Sequence, residues 1–272
     1  MAVLGKGTPT SVQRKPTTGL HTFTGLEEVT GDDDKVIFAI AGDKGHGKTS
    51  LAFALEGEVW CLSLDHKSQS IKKGMYAGVD RIHVVDVMKY MDYTDQHTLL
   101  NSSAKTYDYI IHCIGEIAKK GRCDWIVLDG LRQFSQCCEM KMRTKNNLKA
   151  FQGISNLNVW KDRNLNMRHV HTMMLGTCSS GVVYTTYFKL KEMKDSDGSM
   201  VAEKKPHYAD IVEEETDIIL FAKSVRVQGK KVYLMECDSS KRPDIIESGA
   251  IVDVTGKTGL FKDMVKGKGE TK

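Results

Sequence analysis

The residues best suited to chemistry lie together near the start of the chain. Gly42, Asp43, Lys44, Gly45, His46, Gly47, Lys48 and Thr49, followed by Ser50, fit G-x-x-x-x-G-K-[ST]. Gly42, Gly45 and Gly47 let the backbone curl so that its N–H groups converge on an anion. A helix opening at Lys48 adds the positive end of its dipole. In such a loop Lys48 reaches the β- and γ-phosphates of a nucleoside triphosphate and the Thr49 hydroxyl ligates Mg2+. Two carboxylates further along could complete the site. Asp129 closes the apolar run Trp125, Ile126, Val127, Leu128, so a buried strand would deliver it beside the loop as a second holder of the metal. The next residue is Gly130 rather than a water-activating Glu, so a base must come from elsewhere. Asp65 ends another apolar run, 59–64, at the carboxyl edge of the expected sheet. There it could orient a water in line with the γ-phosphate, or simply cap the following helix.

The elements that must position these groups alternate. The sequence predicts strands at 36–41, 58–64, 82–86 and 125–129, with helices from 48, over about 67–77 and around 107–120. Such alternation predicts an α/β fold with a mostly parallel central sheet and helices on both faces. After Asp129 about fifty mainly helical residues precede a strand at 182–187. The texture then turns to β-hairpins. Strands at 188–193 and 200–204 flank an Asp-Ser-Asp-Gly turn, 217–221 reads as a buried strand, and 224–227 and 231–237 flank a Gln-Gly-Lys turn. A second Gly-Lys-Thr at 256–258 is no phosphate loop, because Ile251 stands where the first glycine belongs. Residues 1–30 predict a flexible basic arm with a docking segment around Phe23, 31–261 the folded domain, and 262–272 a disordered Lys/Gly-rich tail.

Composition narrows the function classes. The 272 residues, 40% hydrophobic, suffice for one α/β domain with appendages. Seven cysteines without a C-x-x-C pair argue against a disulfide framework or zinc site and for the cytoplasm. The adjacent Cys137 and Cys138 read as small apolar fillers. No apolar run is long enough to span a bilayer. No Asn-Lys-x-Asp guanine-reading motif occurs, so GTPase chemistry fits poorly. A small-molecule kinase would need an arginine-bearing lid, for which Arg143, Arg163 and Arg168 are available. The net charge of +4 is too mild to require a nucleic-acid partner. The basic residues do cluster, however: Arg132, Lys141, Arg143, Lys145 and Lys149 follow Asp129 with Glu139 as the only acid among them. That stretch suits sequence-tolerant contact with phosphates, or is the solvated face of a helix.

The phosphate loop at 42–49, the carboxylate at Asp65 and the strand ending at Asp129 without a following Glu together resemble the RecA-type P-loop ATPase core. The region 39–221 further resembles its phage and archaeal single-domain branch, which includes Sak-type recombinases, with RadA-like proteins and KaiC more distant. The shared texture includes a Trp-bearing helix (Trp160), a polar strand end at Thr185 and Thr186, and an acidic approach to Asp217. The resemblance implies an ATPase that works as a ring or filament, with ATP held between subunits and a basic residue supplied in trans. Lys241 and Arg242 occupy a comparable place, or form a solvated turn ahead of Pro243. It also implies a single-stranded DNA partner, bound through the segments after Asp129 and after the next strand. The expectation is therefore a RecA-like, Mg2+-dependent ATPase coupled to single-stranded DNA in recombination, repair or replication. A nucleotide switch or scaffold without DNA binding, and a small-molecule kinase, are the alternatives.

Overall fold

The computed structural model describes residues 35–194, 200–207 and 210–261. The expected arm with its Phe23 segment, the Asp195–Gly198 turn and the tail after 261 lie outside the described residues.

Six apolar residues, all buried, form β1 (Val36–Ala41) in the middle of an eight-stranded sheet. A strand so flanked has both faces covered and needs no polar alternation. The sequence continues through α1 (Lys48–Phe53), β2 (Val59–Ser63), α2 (Ser68–Met75), β3 (Ile82–Asp86), α3 (Gln96–Lys120), β4 (Trp125–Asp129), α4 (Leu131–Lys145) and α5 (Trp160–Thr177). Then follow β5 (Gly181–Thr186), β6 (Phe188–Lys194), β7 (Met200–Pro206), α6 (Asp210–Glu215), β8 (Ile218–Val227), β9 (Lys230–Ser240) and β10 (Ile251–Asp253). The spatial order is β10-β9-β8-β1-β5-β4-β2-β3, while β6 and β7 form a separate antiparallel pair. From β8 to β3 all neighbours run parallel; β9 and β10 turn the edge antiparallel. This is the expected α/β, mostly parallel architecture with a hairpin-rich C-terminal edge.

One apolar layer joins the sheet to α3, α4 and α5 through Ile110, Ile114, Phe134, Cys137, Met167 and Val170. The other joins it to α1 and the C-terminal segment through Leu51, Phe53, Phe38 and Trp125. All seven cysteines are buried, and none is joined in a disulfide. Among the described residues no helix is long and apolar enough to cross a membrane.

Helix α6 and strand β10 have no counterpart in the expectation, and two other elements differ in extent. Helix α3 begins at Gln96, a full three turns before 107, because Asp95 caps it by accepting from the His97 and Thr98 amides at 2.8 and 2.9 Å. The polar Ser/Thr-rich first half hides that start from apolar periodicity. The runs 217–221 and 224–227 are one strand, β8, whose outer half carries the hairpin with β9 beyond the layered core.

Parallel register brings the useful strand ends to one edge. Ser63 faces Asp129, Asp129 faces Thr185, and Ala41 faces Thr186. The carboxyl edge of an open α/β sheet, where the strand order reverses, is where ligands settle.

Candidate functional site

After β1 the loop 42–47 folds tightly because three glycines permit it. Gly45 and Gly47 have φ of 79° and 87°, in the left-handed region. At Gly42 an added Cβ would stand 2.7 Å from the Ala222 carbonyl oxygen on β8, so the loop passes against backbone that cannot yield. Helix α1 then presents Lys48 and Thr49 on its first turn, both buried. Lys48 Nζ donates to the carbonyls of Gly42 (2.9 Å) and Asp43 (3.1 Å) and lies 3.8 Å from the ring centre of Tyr187. Burial lowers its pKa to about 8, against the pull of Asp129, Asp65 and Asp43.

Asp129 ends β4 at 2% exposure and is the hub of a hydroxyl cluster. Its Oδ2 accepts from Thr49 Oγ1 at 2.9 Å and from Ser68 Oγ at 2.6 Å, and its Oδ1 accepts from Thr185 Oγ1. Desolvation, then Asp65, raises its pKa; the three hydroxyls work in the opposite direction. Asp65, half-buried beyond β2, accepts from the Lys67 amide at 3.0 Å. That bond closes a turn two residues ahead of α2. The same carboxylate also lines a cavity of about 450 Å³ shared with Lys48, Thr49, Asp129, Lys67 and Tyr187. Asp65 therefore lines the cavity, as a water-orienting carboxylate must, but it is not the cap of α2: Lys67 holds the N-cap position, with no side-chain cap bond, and Asp65 only braces the turn before it.

The hard oxygens of Thr49 and Asp129, 2.9 Å apart on one cavity wall, suit Mg2+. Among the described residues no cluster of three or more His, Cys, Asp or Glu side chains forms. A two-oxygen foothold matches a cation that keeps waters and binds phosphate oxygens.

Sequence reasoning missed several groups here. Ser68, Tyr187 and Lys231 belong to no motif. Ser68 carries one usable signal, its place three residues after Asp65. The outer half of the C-terminal hairpin folds back over the loop: Lys231 Nζ donates to the Gly45 carbonyl at 2.8 Å, and the Tyr233 ring lies 3.1 Å from where a Cβ on Gly47 would stand. Around the far side of α1 a small recess of about 80 Å³ is lined by Ser50, Leu51, Tyr76, Tyr233, Lys257 and Thr258. The second Gly-Lys-Thr thus enters the site as wall.

The remaining expected residues are dispersed. Lys44 is exposed at the loop tip and His46 lines the small recess. Lys241 and Arg242 follow β9 at the amino edge of the parallel strands, since Ser240 pairs with Ile218 and Lys241 N donates to the Asp217 carbonyl. Within one chain they stand away from Lys48. Lys241 Nζ contacts the Glu214 carbonyl and Arg242 pairs with Asp244 at 2.6 Å.

Of the basic residues after Asp129, Arg143 is not a surface group. It is buried, pairs with Glu139 at 2.8 Å and donates to the carbonyls of Lys149 and Gln152, tying down the loop after α4. This corrects the expectation that it faces a ligand on an open helix face. Lys141 pairs with Asp108 and Lys145 with Asp162, both at 2.8 Å. Arg132 and Lys149 are exposed, and Arg132 lines a cavity of about 640 Å³ with Arg163, His207 and Phe151.

A protein-family model described as "AAA domain" matches residues 34–244, well over half of the chain. Among solved structures, a KaiC-like protein from the hyperthermophilic archaeon Pyrococcus horikoshii OT3 is similar at a TM-score of 0.40. Its identity is 11%, over 80% of this chain and 84% of that one. No curated protein matches the chain at a significant level.

Proposed function

Because the chain belongs to the AAA domain family, we propose that it is a P-loop ATPase that binds ATP with Mg2+ at the carboxyl edge of its sheet. The observation that carries the reading is the convergence of Lys48, Thr49, Asp65 and Asp129, from three different strand ends, on one cavity. In this reading the loop amides and Lys48 hold the phosphate chain, and Tyr187 and the Gly42 and Asp43 carbonyls keep the Lys48 ammonium in place. Thr49 and Asp129 hold Mg2+, which neutralises phosphate charge. Asp65 orients the attacking water and accepts its proton. The recess beside Tyr233 and Tyr76 receives the base, its apolar wall taking the flat face.

We further place the protein with the Sak-type, single-domain branch of RecA-like ATPases, assembling as a ring or filament that engages single-stranded DNA. The cavity holding Arg132, Arg163, His207 and the exposed Phe151 supports this, since it combines cations with a ring beside the end of β4. Lys241 and Arg242 would then serve a neighbouring subunit's site. A nucleotide switch that binds no DNA is favoured instead by the internal pairing of Lys141, Arg143 and Lys145.

One experiment separates these readings: phosphate release from ATP by wild type, Lys48→Ala and Asp65→Asn, with and without single-stranded DNA, with particle size followed in parallel. The ATPase reading requires turnover lost in Lys48→Ala. Turnover and size indifferent to DNA would leave the switch. Unchanged hydrolysis in Asp65→Asn would remove Asp65 as base.

A further inference from the structure

We propose that the ledge between α3 and the edge strand β3 is a binding surface for single-stranded nucleic acid, separate from the nucleotide site and from the α4 region. On α3, Lys105, Tyr109, His112 and Lys120 recur at helical spacing that puts them along one side. Across from them lie Trp60 on β2, His83 on β3, and Lys89 and Tyr90 just after β3.

The ledge has two ringed ends. At one, Trp60 stacks on His83 with centroids 4.2 Å apart and planes at 21°, and Lys120 sits 5.4 Å from the Trp60 ring. At the other, Tyr90 meets Tyr109 edge-on at 5.1 Å and Tyr109 stacks with His112 at 6.1 Å. Lys89 lies 4.0 Å from the Tyr109 ring and Lys105 4.2 Å from the Tyr90 ring. Along α3 the rise from Tyr109 to Lys120 is about 16 Å, enough for several bases in a row.

Charge and chemistry select the occupant. The nearby acids are engaged: Glu58 with His83, Glu116 with Lys119, and Asp86 with His66. Lys89, Lys105 and Lys120 are exposed and each lies over a ring, Lys120 also within the field of Glu116 one turn before it. An ammonium over a tyrosine is a cation–π contact that a nucleobase can replace, since the base stacks on the ring while the lysine swings to the adjacent phosphate. The exchange keeps the ring covered and neutralises the backbone. Flat ring faces serve unpaired bases, which a duplex hides inside its stack. An acidic peptide would use the lysines and leave the rings idle. The proposal does not depend on the ATPase reading, and its test omits nucleotide.

The test is fluorescence anisotropy of a fluorescein-labelled oligothymidylate with the full chain, titrated over salt, with an unlabelled duplex as competitor. Wild type is expected to bind at low salt, and the duplex to compete poorly. Lys89→Gln with Lys105→Gln, both at exposed positions, is expected to flatten the slope of log K against log salt by about 1.4, near 0.7 per lost phosphate contact. Tyr109→Leu is expected to weaken binding about fivefold or more, with affinity retained in Tyr109→Phe. No binding by wild type, an unchanged slope and affinity in the lysine pair, or binding abolished by Arg132→Ala and untouched by the ledge variants would each overturn the proposal.

Discussion

Lys48 costs the folded chain stability, and replacing it should show this. An ammonium at 8% exposure has lost most of its hydration, and the drop of its pKa from 10.5 to about 8 already includes the attraction of Asp129, Asp65 and Asp43. That drop corresponds to a net penalty of about 3 kcal/mol for the charged form at neutral pH. Lys48→Met keeps the aliphatic stem and removes the charge, so without nucleotide the variant should be more stable than wild type by about 1–3 kcal/mol, the lower figure allowing for the lost bonds to the Gly42 and Asp43 carbonyls. The pH dependence carries the sign. The folded pKa lies below the unfolded one, so between about 8 and 10.5 the unfolded chain binds more protons and wild type gains stability as pH rises. The advantage of the variant is therefore full below pH 8 and fades above it. Urea denaturation of both proteins at pH 7 and pH 10 measures it. A variant less stable than wild type at pH 7, or a difference that does not shrink at pH 10, would refute the argument that burial dominates the electrostatics of Lys48.

Other expectations follow from the same geometry. Asp65→Asn should lower kcat for ATP by about 10²–10⁴ with little change in KM, because a general base acts on the bound complex; steady-state phosphate release measures this. Arg143→Ala should lower stability by about 1–2 kcal/mol by removing the buried guanidinium's bonds to the Lys149 and Gln152 carbonyls and to Glu139, and should increase proteolysis between 146 and 156. Gly42→Ala should fail to bind nucleotide and melt earlier, since its methyl group meets the Ala222 carbonyl at 2.7 Å; calorimetry with an ATP analogue and a melting curve report both. Nucleotide affinity of the wild type should fall about tenfold from pH 7 to pH 9, as the protonated fraction of Lys48 falls through its pKa of about 8.

The strand–loop–helix start, Asp65 and Asp129 were legible because a phosphate loop restricts both glycine positions and flanking periodicity, and because an apolar run stopping at a carboxylate marks a strand end. What completes the cluster was not legible. Ser68 and Thr185 lie 61 and 56 residues from Asp129 and converge on it only through the parallel register of β2, β4 and β5. The basic run 132–149 misled for a related reason: composition reports charge but not direction, and Arg143 points inward because the loop after α4 offers carbonyls needing donors. Lys231 reached the loop through a long hairpin whose fold-back no local pattern encodes.

The placement of β5 between β1 and β4 acts as a gauge. Adjacent strands are 4.7–4.9 Å apart, so the ends bearing the phosphate loop and Asp129 are spaced by about 9–10 Å. Only side chains cross that interval: Thr49 Oγ1 reaches Asp129 Oδ2 at 2.9 Å while the backbones that carry them stay apart. The bonded pair thus forms part of the wall of the cavity of about 450 Å³, so the open space lies beside the two groups rather than between them. The tight fit of Gly181 fixes that interval, since any side chain there would collide with the Val36 carbonyl and the Trp125 ring and wedge the three strands apart.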